Sequence, residues 1–357
     1  MRISLSTACV AALAVTAAAL SVPSATARPT AGAVTTLPLA GAAERALAPR
    51  GTGGFALVGV SWDDPGAVLD GTVQVRTRSA ATGRWSDWRA LATDGEDAPD
   101  TPEGGRGATA PLWVGPSDGI AVRAAPGGRP LPAGLRAELV DPGTGPAVRS
   151  VREAEHEGPR PGIVTRAGWG ADEALREPEF SYTGPVRAVF VHHTDTTNDY
   201  ACEDAPKIIR AIYQYHVKSN GWRDIGYNFL VDKCGTIYEG RAGGVAEPVL
   251  GAHTLGFNTD SAGVAALGTY VSAAAPQAQL DGIAKLAAWK LGLTGRDAGG
   301  TTTLVSTSDG SRYPRGTAVS FNAVSGHRDA FNTDCPGDAL YGRLGEIRSA
   351  AAHLQGR

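Results

Sequence analysis

Val186-Arg187-Ala188-Val189-Phe190-Val191-His192-His193-Thr194 is the stretch whose reading decides the fold. Val186 to Val191 puts apolar side chains on both faces of an extended chain, which predicts a strand buried on both sides within a sheet. Successive strand residues point to opposite faces. Val186, Ala188, Phe190 and His192 therefore share one face, and His193 points to the other. Only one of the two histidines can easily reach a given metal. Two later stretches carry matching chemistry: Ile225-Gly226-Tyr227-Asn228, and Gly326-His327-Arg328-Asp329 running into Thr333-Asp334-Cys335-Pro336-Gly337. Two histidines and one thiolate can hold a zinc ion and leave its fourth position open. Arriving from well-separated parts of the chain, they suit a pre-formed pocket and not a zinc finger. An H-E-x-x-H helix, the mark of many zinc endopeptidases, does not occur.

Around these stretches, strands and helices alternate. Asp204 before Ala205-Pro206 reads as an N-cap with proline in the first turn, and Ile208, Ile209, Ile212, Tyr213 and His216 follow at helical spacing. Tyr227, Phe229 and Val231 alternate, turn at Lys233-Cys234-Gly235 and return through Ile237-Tyr238. Ala262 to Leu267 reads as another buried strand. Pro276 opens a helix through Leu280, Ile283, Ala287 and Leu291, ended by Gly292. Thr301 to Ser320 is polar and reads as a surface insertion. The expected fold is α/β, a mixed central sheet flanked by helices, preceded by a small all-β domain.

The N-terminal half is punctuated differently. Residues 1–27 read as a secretory signal peptide, with a basic start, a short apolar run and Ala25-Thr26-Ala27 at the cleavage site. Residues 28–54 read as a flexible lead. Residues 55–142 carry short alternating runs such as Thr72-Val73-Gln74-Val75-Arg76-Thr77, spaced for a small β-sandwich. Asp94 to Gly107 within them reads as an exposed loop. Residues 143–162 form a charged, proline-bounded linker, and 163–357 form the second domain. No later stretch approaches roughly 18 unbroken apolar residues, so no membrane span is expected. A net charge of −3 argues against nucleic acid as a partner. The reading is of a secreted monomer.

The three quoted stretches, in this order, resemble the zinc N-acetylmuramoyl-L-alanine amidases that include the peptidoglycan recognition proteins. The resemblance runs from about Val164 to Leu354. It implies one zinc per chain, held by His192, His327 and Cys335. It implies Tyr227 and Thr333 as catalytic groups stabilising the oxyanion of an amide under attack. It places His193, His216 and His253 in a groove for glycopeptide, and offers Arg241 to a stem-peptide carboxylate. Glu239 is a possible helper, or a solvated hairpin charge. Trp169 is implied in packing, and Asn258 and Ser261 in holding a loop. The implied activity is cleavage of the amide between N-acetylmuramic acid and L-alanine, by a cell-wall-associated enzyme acting on peptidoglycan. The alternative is a non-catalytic recognition protein; such members typically lack the cysteine or the first histidine, and both are present here. Cys9 leaves with the signal and Cys335 is taken by the metal. Cys202 and Cys234 remain, and in an oxidising compartment they are expected to pair.

Overall fold

The apolar 186–191 run does become an inner strand of a sheet, and its burial is what builds the second domain around it. In the computed structural model, which describes residues 30–93, 98–100, 105–145 and 159–357, no residue of the strand Ala188–His193 is exposed. The signal peptide and most of the linker lie outside the described residues.

The N-terminal domain consists of β1 (Ala33–Pro38), β2 (Arg45–Trp62), β3 (Gly71–Ser79), β4 (Arg89–Leu91), β5 (Gly107–Ala108), β6 (Leu112–Pro126) and β7 (Arg136–Asp141). All join one antiparallel sheet in the order β1-β7-β2-β6-β3-β4, with β5 on β2. Register shifts between Leu47 and Leu57 interrupt the long β2–β6 ladder, and such bulges bend a sheet. One face buries Val58, Val60, Trp62, Val73, Val75, Ile120 and Val122 together. Two expectations are corrected here. The segment 28–54 is no flexible lead over its described part: β1 pairs β7 from Ala33 to Pro38, and β2 begins at Arg45. The described part of the Asp94–Gly107 stretch is not simply exposed either, because Asp100 and Arg106 both bond to the second domain; residues 94–97 and 101–104 lie outside the described residues.

The second domain contains β8 (Ile163–Val164), α1 (Arg166–Trp169), β9 (Ala188–His193), α2 (Ala205–Gln214), β10 (Phe229–Val231), β11 (Ile237–Glu239), β12 (Ser261–Ala266), α3 (Gln277–Gly292), β13 (Thr301–Val305), β14 (Ala318–Asn322), β15 (Val324–Gly326), α4 (His327–Ala330), α5 (Asp338–Tyr341) and α6 (Leu344–Leu354). Its main sheet runs β15-β9-β12-β10-β11-β8. The pairs β15–β9, β9–β12, β12–β10 and β11–β8 are parallel, and β10–β11 is antiparallel, so the sheet is mixed. Helices α3 and α6 cover one face through Ile283, Leu286, Trp289 and Ile347 against Val189, Val191 and Val264. Helix α2 covers the other with Ile208, Ile209 and Ile212. Asp204 does sit at the N-cap position of α2, but its carboxylate pairs with Lys207 Nζ at 2.6 Å instead of capping. The Thr301–Ser320 stretch differs from its reading as a plain insertion. Its ends form the β13–β14 hairpin, whose Leu304, Val319 and Phe321 pack against Ala188 and Phe190. Its alternation of polar and apolar residues is short, so composition masked it.

The two domains share a core. Ala56, Leu57, Trp113 and Val140 from the N-terminal sheet pack with Ile208, Ile209, Ile212 and Tyr215 of the second domain. Among the described residues no helix is long and apolar enough to cross a membrane.

Candidate metal centre

His192 lies near the end of β9, paired in register with Ala265 of β12. Strand alternation puts its ring on the face of Ala188 and Phe190, as expected, and His193 on the face of Val189 and Val191. β15 runs parallel beside β9, with Gly326 opposite Val191, and its next residue is His327 at the start of α4. The adjacent strand ends thus deliver two imidazoles side by side, with ring centroids 4.4 Å apart. The loop after α4 returns Cys335, whose Sγ lies 3.9 Å from His192 Nδ1. The ligand atoms of His192, His327 and Cys335 all lie within 4.8 Å of one another, and all three residues are buried.

Local bonds fix each member. The backbone N–H of Arg328 donates to Cys335 O at 3.0 Å, pinning the loop back on α4. Thr333 Oγ1 accepts the N–H of Cys335 at 3.0 Å. The N–H of His193 donates to Cys335 Sγ, 3.4 Å away. Burial lowers the pKa of His192 to about 3 and that of His327 well below the ordinary value, so both rings are neutral and offer lone pairs.

The other expected site residues divide. Tyr227 stands at the group, its ring centroid 5.5 Å from that of His192 and 5.8 Å from that of His216. His216 accepts the N–H of Gly226 on Nδ1 at 3.1 Å and packs its ring on Trp222 at 4.5 Å. His193 accepts the N–H of Tyr270 on Nδ1 at 3.2 Å. Both are buried, and each uses a ring nitrogen inside the protein. His253 is 0% exposed, as are His192 and His327. It stands behind His192: His253 Nδ1, His192 Nε2 and Thr254 Oγ1 form a triangle with sides of 3.2, 3.0 and 3.4 Å. Gly251 and Gly263 leave the room for its ring, since a Cβ on either would fall 2.4 Å from it. Arg241 is buried as well. It is 7% exposed, and its guanidinium donates to the carbonyls of Ile225 at 2.9 Å and Leu250 at 3.1 Å. Glu239 accepts the N–H of Arg166 at 3.0 Å, and Trp169 donates to Glu239 O at 2.7 Å, so both are structural.

Three neighbours of the site carry no motif in the sequence. Thr254 touches both His192 and His253, Phe331 stacks on His327 at 5.7 Å, and buried Asp224 accepts the N–H groups of Ile225 and Ala242 to fix the strand entry to Tyr227. A threonine after Ala252-His253 was the available signal for the first. Asn258 and Ser261 hold their loop as expected: Asn258 Oδ1 accepts the N–H of His253 at 2.7 Å and of Thr254 at 3.0 Å, and Ser261 donates to Phe257 O. Asn258 Nδ2 then reaches the N-terminal domain, donating to Ala98 O at 3.0 Å and Asp100 Oδ1 at 2.7 Å. Cys202 and Cys234 are joined by a disulfide.

Comparison with known proteins gives two family matches along the chain. Residues 182–338 match the family described as N-acetylmuramoyl-L-alanine amidase, and residues 14–157 match one described as Rv3811 N-terminal galactose-binding domain-like. A human protein named N-acetylmuramoyl-L-alanine amidase is 33% identical over 187 residues, which is 52% of this chain and 28% of that protein. Peptidoglycan-recognition protein SC2 of Drosophila simulans is 30% identical over 184 residues, 51% of this chain and 84% of that protein. Among solved structures, Drosophila PGRP-LB is 26% identical with a TM-score of 0.40, covering 51% of this chain and 91% of that one. With a relative matched over most of its length at this identity, and with the three motif stretches gathered at one buried point, the chain belongs to the family of the N-acetylmuramoyl-L-alanine amidases and peptidoglycan-recognition proteins.

Proposed function

We propose that the protein is a secreted, zinc-dependent hydrolase that cuts the amide between N-acetylmuramic acid and L-alanine in peptidoglycan, with the second domain carrying the chemistry. The observation that carries this reading is the buried group of His192, His327 and Cys335, with ligand atoms within 4.8 Å. Two neutral imidazoles and a thiolate suit zinc, whose structural and catalytic sites draw on these donors. Zinc so held supplies a Lewis acid and a water that ionises near neutral pH.

The chain's own groups do the rest. His192 would ligate through Nδ1, the nitrogen facing Cys335, and donate its Nε2 hydrogen to His253 Nδ1. That bond fixes the tautomer and the ring plane. Tyr227 would donate its hydroxyl to the oxygen of the amide carbonyl as charge gathers there. Thr333, with its oxygen already accepting the Cys335 N–H, keeps its hydroxyl proton for the same oxygen. The Cys202–Cys234 disulfide supports an oxidising compartment, in keeping with secretion.

Mass analysis of digested, purified cell wall tests the reading. Stem peptides with a free L-alanine amine should be released, and a zinc chelator should stop the release. Intact glycopeptides that nevertheless bind the protein would instead make it a recognition protein.

A further inference from the structure

Between the two domains lies a cavity of about 460 Å³, within the roughly 300–1,000 Å³ of small-ligand sites. The N-terminal domain supplies Trp62, Val68 and Arg106 to its walls, and the second domain supplies Asn220, Trp222 and Phe331. No metal-group residue lines it, yet two of its walls lead straight there. Trp222 packs at a tilt against His216, which faces Tyr227, and Phe331 stacks on His327. Through Phe331 the cavity is one side chain removed from His327, and through Trp222 it is linked to His192 by way of His216 and Tyr227.

The N-terminal wall is held in place. Asp100 accepts N–H groups from Gly256 and Asn258 at 2.7 Å each, Arg106 N–H donates to Asn220 O at 3.0 Å, and Tyr215 donates to Thr109 O at 3.0 Å. A module that merely tethered the enzyme to the wall would need none of these bonds.

The lining also says what it would take. Aromatic rings with a few short polar groups suit a ligand that is apolar on its faces and polar at its edges. A stem peptide carries carboxylates. Among the described lining residues the one cation is Arg106, which already faces Glu138 at 3.7 Å. We propose that the cavity is a saccharide subsite. It would hold an N-acetylated sugar of the glycan strand next to the muramoyl residue, so that the N-terminal domain forms part of the substrate site. This rests on the peptidoglycan reading above.

Val68→Arg tests it, because Val68 stands at the cavity with 69% of its surface exposed and the change should not disturb folding. Two probes are titrated by tryptophan fluorescence: a peptide-free tetrasaccharide of alternating N-acetylglucosamine and N-acetylmuramic acid, and a single-sugar muramoyl peptide. The zinc-loaded wild type should bind the tetrasaccharide, and Val68→Arg should weaken it by about tenfold or more while leaving the muramoyl peptide unchanged. Wild type that ignores the tetrasaccharide, or a variant that binds it equally, overturns the proposal. Weakening of the muramoyl peptide alone would assign the cavity to the stem and also overturn it. Amide cleavage of the muramoyl peptide is assayed separately. Its absence alongside a positive titration would remove the hydrolase reading and leave the subsite standing.

Discussion

Cys335 is the residue on which most depends, because it is the one anionic donor in the group and a buried thiolate needs a cation beside it. Cys335→Ser should abolish stoichiometric zinc binding, since a serine hydroxyl stays protonated. Metal analysis after gel filtration checks this, and retention of one zinc per chain would remove Cys335 from the site. Tyr227→Phe should leave zinc content and KM close to wild type and lower kcat by roughly 10²-fold, the usual cost of losing one oxyanion donor; unchanged kcat would take Tyr227 out of the mechanism. His216 carries a pH effect. Burial lowers its pKa to about 3 from an ordinary 6.5, and its Nδ1 must stay unprotonated to accept the Gly226 N–H. The unfolded chain therefore binds the extra proton first, so the stability from burying neutral His216 is complete above about pH 6.5 and is lost as pH falls toward 3. Melting temperature of the metal-free protein should drop from pH 7 to pH 5; a flat profile would contradict it.

Elements matter through what their ends deliver. β9 and β15 are parallel neighbours, so their C-terminal ends lie together, and that alone brings His192 beside His327. The disulfide ties the short helical turn Cys202–Asp204, which leads into α2, to the turn between β10 and β11. It closes a loop with a sequence separation of 32. Replacing both cysteines by alanine should cost about 4 kcal/mol in the chain-entropy account, read as a lower denaturant midpoint. The metal group, built on other elements, should keep its zinc.

At the scale of the molecule, the two domains share buried side chains and should therefore unfold as one unit. Gly59 of β2 marks the closest approach: a Cβ there would lie 2.2 Å from Tyr215 Oη. Gly59→Ala forces the ring away and breaks its bond to Thr109 O. The expected loss is roughly 1–3 kcal/mol, as for other overpacked sites. In calorimetry the change should lower one common transition. A shift of one of two separate transitions would show that the domains unfold independently.

The local chemistry was legible in the sequence. Val186 to Val191 read as a buried strand, which the structure places at Ala188–His193, and period-two alternation was enough to put His192 on the face of Phe190. The Leu280–Leu291 spacing likewise sufficed for α3, which ends at Gly292. These features are local: they follow from backbone geometry and from which side chains water rejects. What lies between elements was not legible. Burial of His253 behind His192, and the commitment of Arg241 to backbone carbonyls, depend on which loops close over them; motif position carries no record of that. The lead at 28–54 is rich in Ala, Thr, Pro and Gly and has little β propensity of its own, and β1 exists because β7, about a hundred residues away, offers it an edge. The cavity between the domains is walled by segments far apart in sequence, among them those carrying Trp62, Trp222 and Phe331, which only the folded chain brings together.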